Sequence, residues 1–175
     1  MAISDDDTAR MLEEECPGPP DLESVLANEA VGSAASHPPL IVEADARLAQ
    51  VLQLMREGNR GGVLVVSASK LIGIFTERDV LTKIAGQTIE LAHVTVSQVM
   101  TPSPVSLPAD ASVAFALNKM LVEGFRHIPL IDAEGRPVGV VSMRDLIDYL
   151  SDFFNREVLN LPPDPRVAYR SRDGA

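Results

Sequence analysis

Apolar residues recur with a helical period at two places along the chain. Leu48, Val51, Leu52 and Met55 stand at i, i+3, i+4 and i+7, and Val113, Ala116, Leu117 and Met120 repeat the spacing. Each stripe predicts an amphipathic helix with one buried face. Asp45 and Asp110 precede them as candidate N-caps. After each helix the pattern shifts to short runs rich in β-branched residues. Gly62-Val-Leu-Val-Val66 and Leu71–Phe75 flank Ser-Ala-Ser-Lys, while Ile128-Pro-Leu-Ile131 and Pro137–Val141 flank Asp-Ala-Glu-Gly-Arg. Each pair predicts a hairpin. A short strand before each helix and a second helix after each hairpin, opened by Thr76–Asp79 or Ser142–Asp145, complete a β-α-β-β-α unit. The final helix is expected to bury Leu146, Ile147, Leu150, Phe153 and Phe154.

The unit is written twice. Pro39–Met55 aligned with Pro104–Met120, at an offset of 65, shares the Pro, the Ala-Asp-Ala trio, Ala49/Ala114, Leu52/Leu117 and Met55/Met120. Gly73-Ile-Phe-Thr-Glu-Arg-Asp79 falls on Gly139-Val-Val-Ser-Met-Arg-Asp145 at an offset of 66, because the second hairpin turn is one residue longer. A unit of some 50 residues struggles to close a core alone. The expected fold class is therefore α+β, two repeats packed sheet to sheet with pseudo-two-fold symmetry. The boundaries read as an acidic arm (1–34), repeat one (35–86), a linker (87–97), repeat two (98–154) and a Pro/Arg-containing tail (155–175). Gly86 is the expected C-cap of the helix before the linker.

The paired Gly-x-x-[Ser/Thr]-x-Arg-Asp, Val99-Met-Thr-Pro102 and Arg126-His-Ile-Pro-Leu-Ile-Asp132 resemble a tandem pair of CBS domains, a Bateman module. The resemblance covers roughly residues 35–154. Repeat one departs from it: it lacks the Met-Thr-Pro lead-in, and Gly61-Gly62 stands where repeat two has Arg126-His127. The resemblance implies a cleft between the repeats for an adenosine ligand such as AMP, ADP or ATP. It implies that Asp79 and Asp145 accept hydrogen bonds from ribose hydroxyls. Thr76, Arg78, Ser142 and Arg144 would take phosphates, together with the helix N-termini, Arg126 and His127. Backbone near Pro38–Ile41 and Ser103–Val105, including Pro104 and Val105, would frame the adenine. The principal site is expected at Ser142, Arg144, Asp145, Arg126 and His127, with a weaker half-site at Thr76 and Asp79.

The chemistry suits these roles independently of any family. A carboxylate is acceptor-only and can hold both hydroxyls of a cis-diol. Arginine forks onto phosphate oxygens. The same Thr76-x-x-Asp79 and Ser142-x-x-Asp145 also fit a capping box, and the hydroxyls can serve both ends. The bland alternative for Arg126 and His127 is the exposed polar start of a strand. His37 and His93 read as loop residues without metal spacing, and Met55 and Met120 as core packing.

Charge narrows the partners. The chain carries −10, of which residues 1–30 hold −8, nine acids against Arg10. Such an arm repels nucleic acid and anionic membrane; it reads as a solvating segment or a docking segment for a basic partner. With no Trp, two Tyr and five Phe, aromatic platforms for single-stranded nucleic acid are not expected. No apolar run suits a membrane span, and the N-terminus lacks a secretory pattern. Cys16 is the lone cysteine, so a cytoplasmic setting is expected. No Ser-His-Asp set, metal cluster or phosphate loop suggests an enzyme. The reading is a regulatory module that binds an adenine nucleotide and transmits it to an unidentified regulated protein through a change in packing. The alternative is a structural or interaction dimer with a vestigial nucleotide site. A homodimer is expected through residues 48–56, 80–84, 113–121 and 146–154.

Overall fold

The computed structural model describes residues 26–153; Cys16, most of the acidic arm, Phe154 and the tail lie outside the described residues. A single turn, α1 (Val31–Ala34), precedes β1 (Ile41–Glu43), α2 (Leu48–Glu57), β2 (Gly62–Ser67) and β3 (Lys70–Thr76). A short α3 (Glu77–Asp79) runs directly into a π turn over Val80–Ile84. A 3-10 turn at Val96–Gln98 leads to β4 (Thr101–Pro102), β5 (Leu107–Pro108), α4 (Val113–Glu123), β6 (His127–Ile131), β7 (Pro137–Ser142) and α5 (Met143–Phe153). Both hairpins form where the β-branched runs predict them.

The sheets carry the duplication in their register. Parallel β1–β2 pairs Val42 with Val65, and parallel β5–β6 pairs Leu107 with Leu130, each residue displaced by the repeat offset. β2–β3 and β6–β7 are antiparallel, with a register shift at Val65/Val66 and at Leu130/Ile131. Helix faces close two aliphatic cores. Leu48, Val51, Met55, Val63 and Phe75 centre the first; Val113, Ala116, Met120, Ile128 and Leu146 centre the second. Met55 and Met120 are buried, as their spacing predicts.

The cores are not built by each repeat alone. Val31 of α1 is 0% exposed inside the second core, and Val96, its counterpart at the same offset, is 0% exposed inside the first. The backbone repeats the exchange. Ala30 bridges Ser112 and Arg47 bridges Thr95; Val31 donates its N–H to Ala111 at 2.7 Å, and Val96 donates to Ala46 at 2.9 Å. Val31–Ala34, read from sequence as the end of an arm, is thus part of the second core. The latter half of the linker is held on the first.

This exchange also moves the helix starts. Asp45 and Asp110 are not the N-caps; Arg47 and Ser112 are. The bridges keep residues 46–47 and 111–112 extended, so each helix begins later. Ser112 Oγ accepts from the Phe115 amide at 3.2 Å. α2 has no side-chain cap, because the Leu48 and Ala49 amides donate to the linker carbonyls of Val94 and Leu91. Beyond the π turn the cap position is Ala85, and Gly86 follows at φ +78, the left-handed step a glycine takes most readily. In α5, Leu146 is buried and Leu150 half-buried, but Ile147 faces solvent, against expectation; the side chain of Phe153 lies outside the described residues.

Hydrogen bonds also join the two repeats directly, from the Leu71 amide to the Gly135 carbonyl (3.0 Å) and from Arg78 Nη1 to the Gly124 carbonyl (2.9 Å).

Candidate functional site

Each Gly-x-x-[Ser/Thr]-x-Arg-Asp motif sits where a hairpin's second strand turns into a helix, at the edge between repeats. The capping box forms in both copies. Thr76 donates its N–H and its hydroxyl to Asp79 Oδ2, each at 2.9 Å. Ser142 does the same to Asp145 Oδ2, at 2.7 and 2.6 Å. One oxygen of each carboxylate is left to face outward. A hydroxyl from the segment ahead of the other repeat meets it: Thr101 donates to Asp79 Oδ1 at 3.0 Å, and Ser36, at the same repeat position, donates to Asp145 Oδ1. Burial pushes both carboxyls up. Bonds from Lys83, Thr76 and Thr101 outweigh it at Asp79, and those from Ser142 and Ser36, with His37 nearby, outweigh it at Asp145. Both stay below the usual carboxylate range and are ionised at neutral pH.

Two cavities lie beside these carboxylates. The larger, about 740 Å3, gathers Ser142, Arg144 and Asp145 with Arg126 and His127, as the sequence reading proposes. The smaller, about 210 Å3, gathers Thr76, Arg78 and Asp79. Arg126 and His127 also line the smaller cavity, so they form a wall shared by the two. By the pseudo-symmetry, Arg126-His127 faces Asp79 as Gly61-Gly62 faces Asp145. His127 packs closely over Gly61: a Cβ there would stand 3.1 Å from His127 Nε2, so the ring would have to give by a few tenths of an ångström.

The larger cavity contains groups the motif reading does not name. Arg60, one residue ahead of Gly61-Gly62, lines it, as do His37, Glu77 and Asp148. Leu64, Ile74 and Val140 give it an apolar floor. The sequence signal for Arg60 is only a basic residue beside the position where the family places its pair. His37, read as a loop residue, sits beside Ser36 with Nδ1 2.7 Å from its hydroxyl. His93 is exposed, 3.4 Å from Glu90. Pro104 and Val105 line neither cavity: after β4 pairs with β3, Ser103 turns at φ +47 and carries the chain away, leaving Val105 exposed. The helix starts are also less free than expected. The Met143 amide donates to the Arg126 carbonyl at 2.9 Å, and the Asp145 amide to Ser142 Oγ at 3.2 Å.

Burial, and then the charge of Arg126, lower the pKa of His127; Glu77 and Asp145 oppose this, and Arg78 adds to it. The imidazole is neutral at neutral pH.

The CBS-domain family model matches residues 31–86 and 96–152. The chain belongs to the CBS-domain family. It is 34% identical over 113 residues to an uncharacterized 17.7 kDa protein of Acidianus ambivalens, covering 64% of this chain and 67% of that one. It is 33% identical over 104 residues to the CBS domain-containing protein CBSCBSPB5 of Arabidopsis thaliana, covering 59% of this chain but 19% of the plant protein. The chain thus spans about a fifth of that relative. Among solved structures, CBSX2 in complex with AMP superposes with a TM-score of 0.62 at 21% identity, covering 70% of this chain and 97% of that one. The CBS domain pair of MJ0100, in complex with 5-methylthioadenosine and S-adenosyl-L-methionine, gives 0.62 at 22%, covering 70% and 99%. These likenesses establish the fold: two CBS repeats in one α+β body. Among the described residues no helix is long and apolar enough to cross a membrane.

Proposed function

We propose that this CBS pair is a non-catalytic regulatory module that binds one adenine nucleotide in the larger cavity and passes the occupancy to a protein partner. One observation carries the reading: a cavity of about 740 Å3, within the ligand-site range of roughly 300–1,000 Å3, holds the three chemistries such a ligand needs. Asp145 Oδ1 is an acceptor for ribose hydroxyls, and among the described residues its hydrogen-bond donor is the rotatable Ser36 hydroxyl. Leu64, Ile74 and Val140 offer an apolar seat for the base, and Arg60, Arg126 and Arg144 offer cations for phosphate. That CBSX2 was crystallised with AMP and MJ0100 with S-adenosyl-L-methionine supports an adenosine-type ligand. Because the wall of the cavity comes from both repeats, a ligand that prefers one packing of the repeats shifts the population toward it.

The test is calorimetric titration with AMP, ADP and ATP. Asp145→Asn keeps the size and one acceptor for the Ser142 cap but removes the charge. Loss of a charge-assisted bond costs about 1.5–3 kcal/mol, roughly ten- to a hundredfold in Kd. An Asp145→Asn protein that binds as tightly as wild type removes Asp145 from the site. A wild type that binds none of the three at millimolar concentration favours the alternative of an interaction module.

That module is also proposed to be a homodimer. Leu54 on α2, Leu81 on the π turn, Phe115, Leu121 and Val122 on α4, and Ile147 on α5 are all exposed. The helices α4 and α5 pack together, exposed apolar residues there suit an interface, and a second copy offers the same surface under two-fold symmetry.

A further inference from the structure

The two pseudo-equivalent carboxylates differ in one occupant. Asp79 is 6% exposed and all its acceptor positions are filled. Thr76 holds Oδ2, while Oδ1 takes Thr101 Oγ1 at 3.0 Å and the Lys83 ammonium at 2.7 Å. Lys83 is itself tied at its other hydrogens, to the Val99 carbonyl at 2.8 Å and the Met100 carbonyl at 3.1 Å. It is delivered there by the π turn, whose Ala85 amide reaches the Val80 carbonyl and whose Thr82 hydroxyl bonds back to the Arg78 carbonyl. A π turn in place of regular helix often marks a functional position. At the equivalent place in α5 stands Tyr149, whose phenol bonds the Glu29 carboxylate and whose pKa is raised by burial and by that bond. Among the described residues, Asp145 takes hydrogen bonds from Ser142 and Ser36 and no lysine ammonium.

A second difference lies in the sheets. The Ser103 amide donates to Ile72 at 3.0 Å and extends the first sheet to four strands through β4. The residue at the matching place is Pro38, which has no N–H to give, and the second sheet has three strands.

We infer that Lys83 is an internal occupant of the first ribose position: its ammonium, seated on Asp79, takes the acceptor a ribose diol would need there and makes this CBS pair single-sited. The inference rests on the nucleotide reading above and names what sets its stoichiometry. A buried carboxylate with a fixed cation, two hydroxyl donors and an amide donor has its four acceptor positions filled and none left for a diol, and 210 Å3 lies below the usual ligand range. The same ammonium clamps the lead-in of repeat two onto repeat one through Val99 and Met100, so closing the site and fixing the repeats are one contact.

Native mass spectrometry and calorimetry with AMP test this on the full chain. Wild type should take up one AMP, and Asp145→Asn should weaken that event at least tenfold. Lys83→Gln, which keeps an amide donor for the two carbonyls, should add a second AMP, and Lys83→Gln combined with Asp145→Asn should bind one. Lys83→Met repeats the experiment should the glutamine reoccupy Asp79. Two AMP bound to wild type would overturn the plug while leaving the nucleotide reading intact, as would loss of binding in Lys83→Gln, which would make Lys83 a phosphate ligand. A single unchanged site in both Lys83 variants would also overturn it. No AMP bound by wild type or by either Lys83 variant would instead refute the nucleotide reading.

Discussion

Val31→Ala is expected to destabilise the whole molecule, although position 31 precedes the first repeat's strand. The side chain is fully buried in the second core, among residues that include Val113, Ile128 and Leu146. Truncation to Ala removes two methyl groups, worth roughly 0.8 kcal/mol each in lost transfer energy. The space they leave adds a cavity penalty of about 24 cal/mol per Å3 that fails to collapse. Together these give about 2–3 kcal/mol. For an ordered body between the size classes usually surveyed, that is a fall in Tm of about 8–12 °C. Val96→Ala should cost the same, since Val96 fills the equivalent place in the first core. The two changes should add within about 0.5 kcal/mol because the cores are separate.

Urea unfolding followed by circular dichroism measures this, with an unchanged m-value as the sign that native packing alone has changed. Because each core is completed by a segment from outside its own repeat, both variants should lose structure in one coincident transition. A Val31→Ala protein within about 0.5 kcal/mol of wild type, the usual effect of a surface change, would refute the exchange. Biphasic unfolding in either variant would refute the cooperativity drawn from it.

Nucleotide binding should take up a proton. His127 is held neutral by burial and by Arg126 and Arg78, with Glu77 and Asp145 pulling the other way; a phosphate beside it favours the charged form. Affinity should rise from about pH 8 to about pH 6.5, and the binding enthalpy should vary with the ionisation enthalpy of the buffer. Buffer-independent enthalpy would exclude His127 from the phosphate site. Without ligand the sign reverses for the fold. The lowered pKa means the unfolded chain binds the proton first, so this contribution to stability is present above about pH 6.5 and is lost as pH falls through the folded value. In the first hairpin, Ala68 and Ser69 occupy a two-residue loop at φ +49 and +64, where Asn-Gly is preferred. Ala68→Asn with Ser69→Gly should raise stability by about 1 kcal/mol, and an unchanged urea midpoint would contradict the turn assignment. Light scattering should give a dimer at micromolar concentration, reduced to monomer by Leu121→Asp with Val122→Asp, since these side chains are 74% and 75% exposed. A dimer that survives both changes would place the interface elsewhere.

The repeat made the fold legible because its signals are local: helix stripes, hairpin turns and a motif at each strand-to-helix junction all lie within one unit of chain. The exchanged segments were not legible for the converse reason. Between residues 29–33 and 94–98 only Val31 and Val96 are identical, and a single valine carries no periodicity. The displaced helix caps follow from the same contact, since Asp45 is a good cap by type but the linker carbonyls already satisfy the amides it would serve. Of the site, the carboxylates and hydroxyls were readable as motif letters, and the cavities bring them together. Arg60 and the sharing of Arg126 and His127 between two cavities depend on how the repeats face each other, which no local pattern encodes.

The asymmetry between the cavities is the instructive case, because every letter that causes it stands in the alignment of the two repeats. Pro38 opposite Ser103 removes one backbone donor, and the second sheet has three strands where the first has four; Lys83 opposite Tyr149 seats a cation on Asp79, while Asp145 takes hydroxyl and amide donors among the described residues. Gly61-Gly62 opposite Arg126-His127 does not empty a site so much as make room for His127 to reach across. On the single-site proposal, duplication supplies two half-sites, and differences at four matched positions set them apart. The regulatory consequence follows from linkage. A pair with one open site responds to ligand with a simple hyperbola, whereas a second open site sharing Arg126 and His127 would place two phosphates on one wall and couple them unfavourably. On the proposed reading, a lysine fixed at Asp79 removes that antagonism.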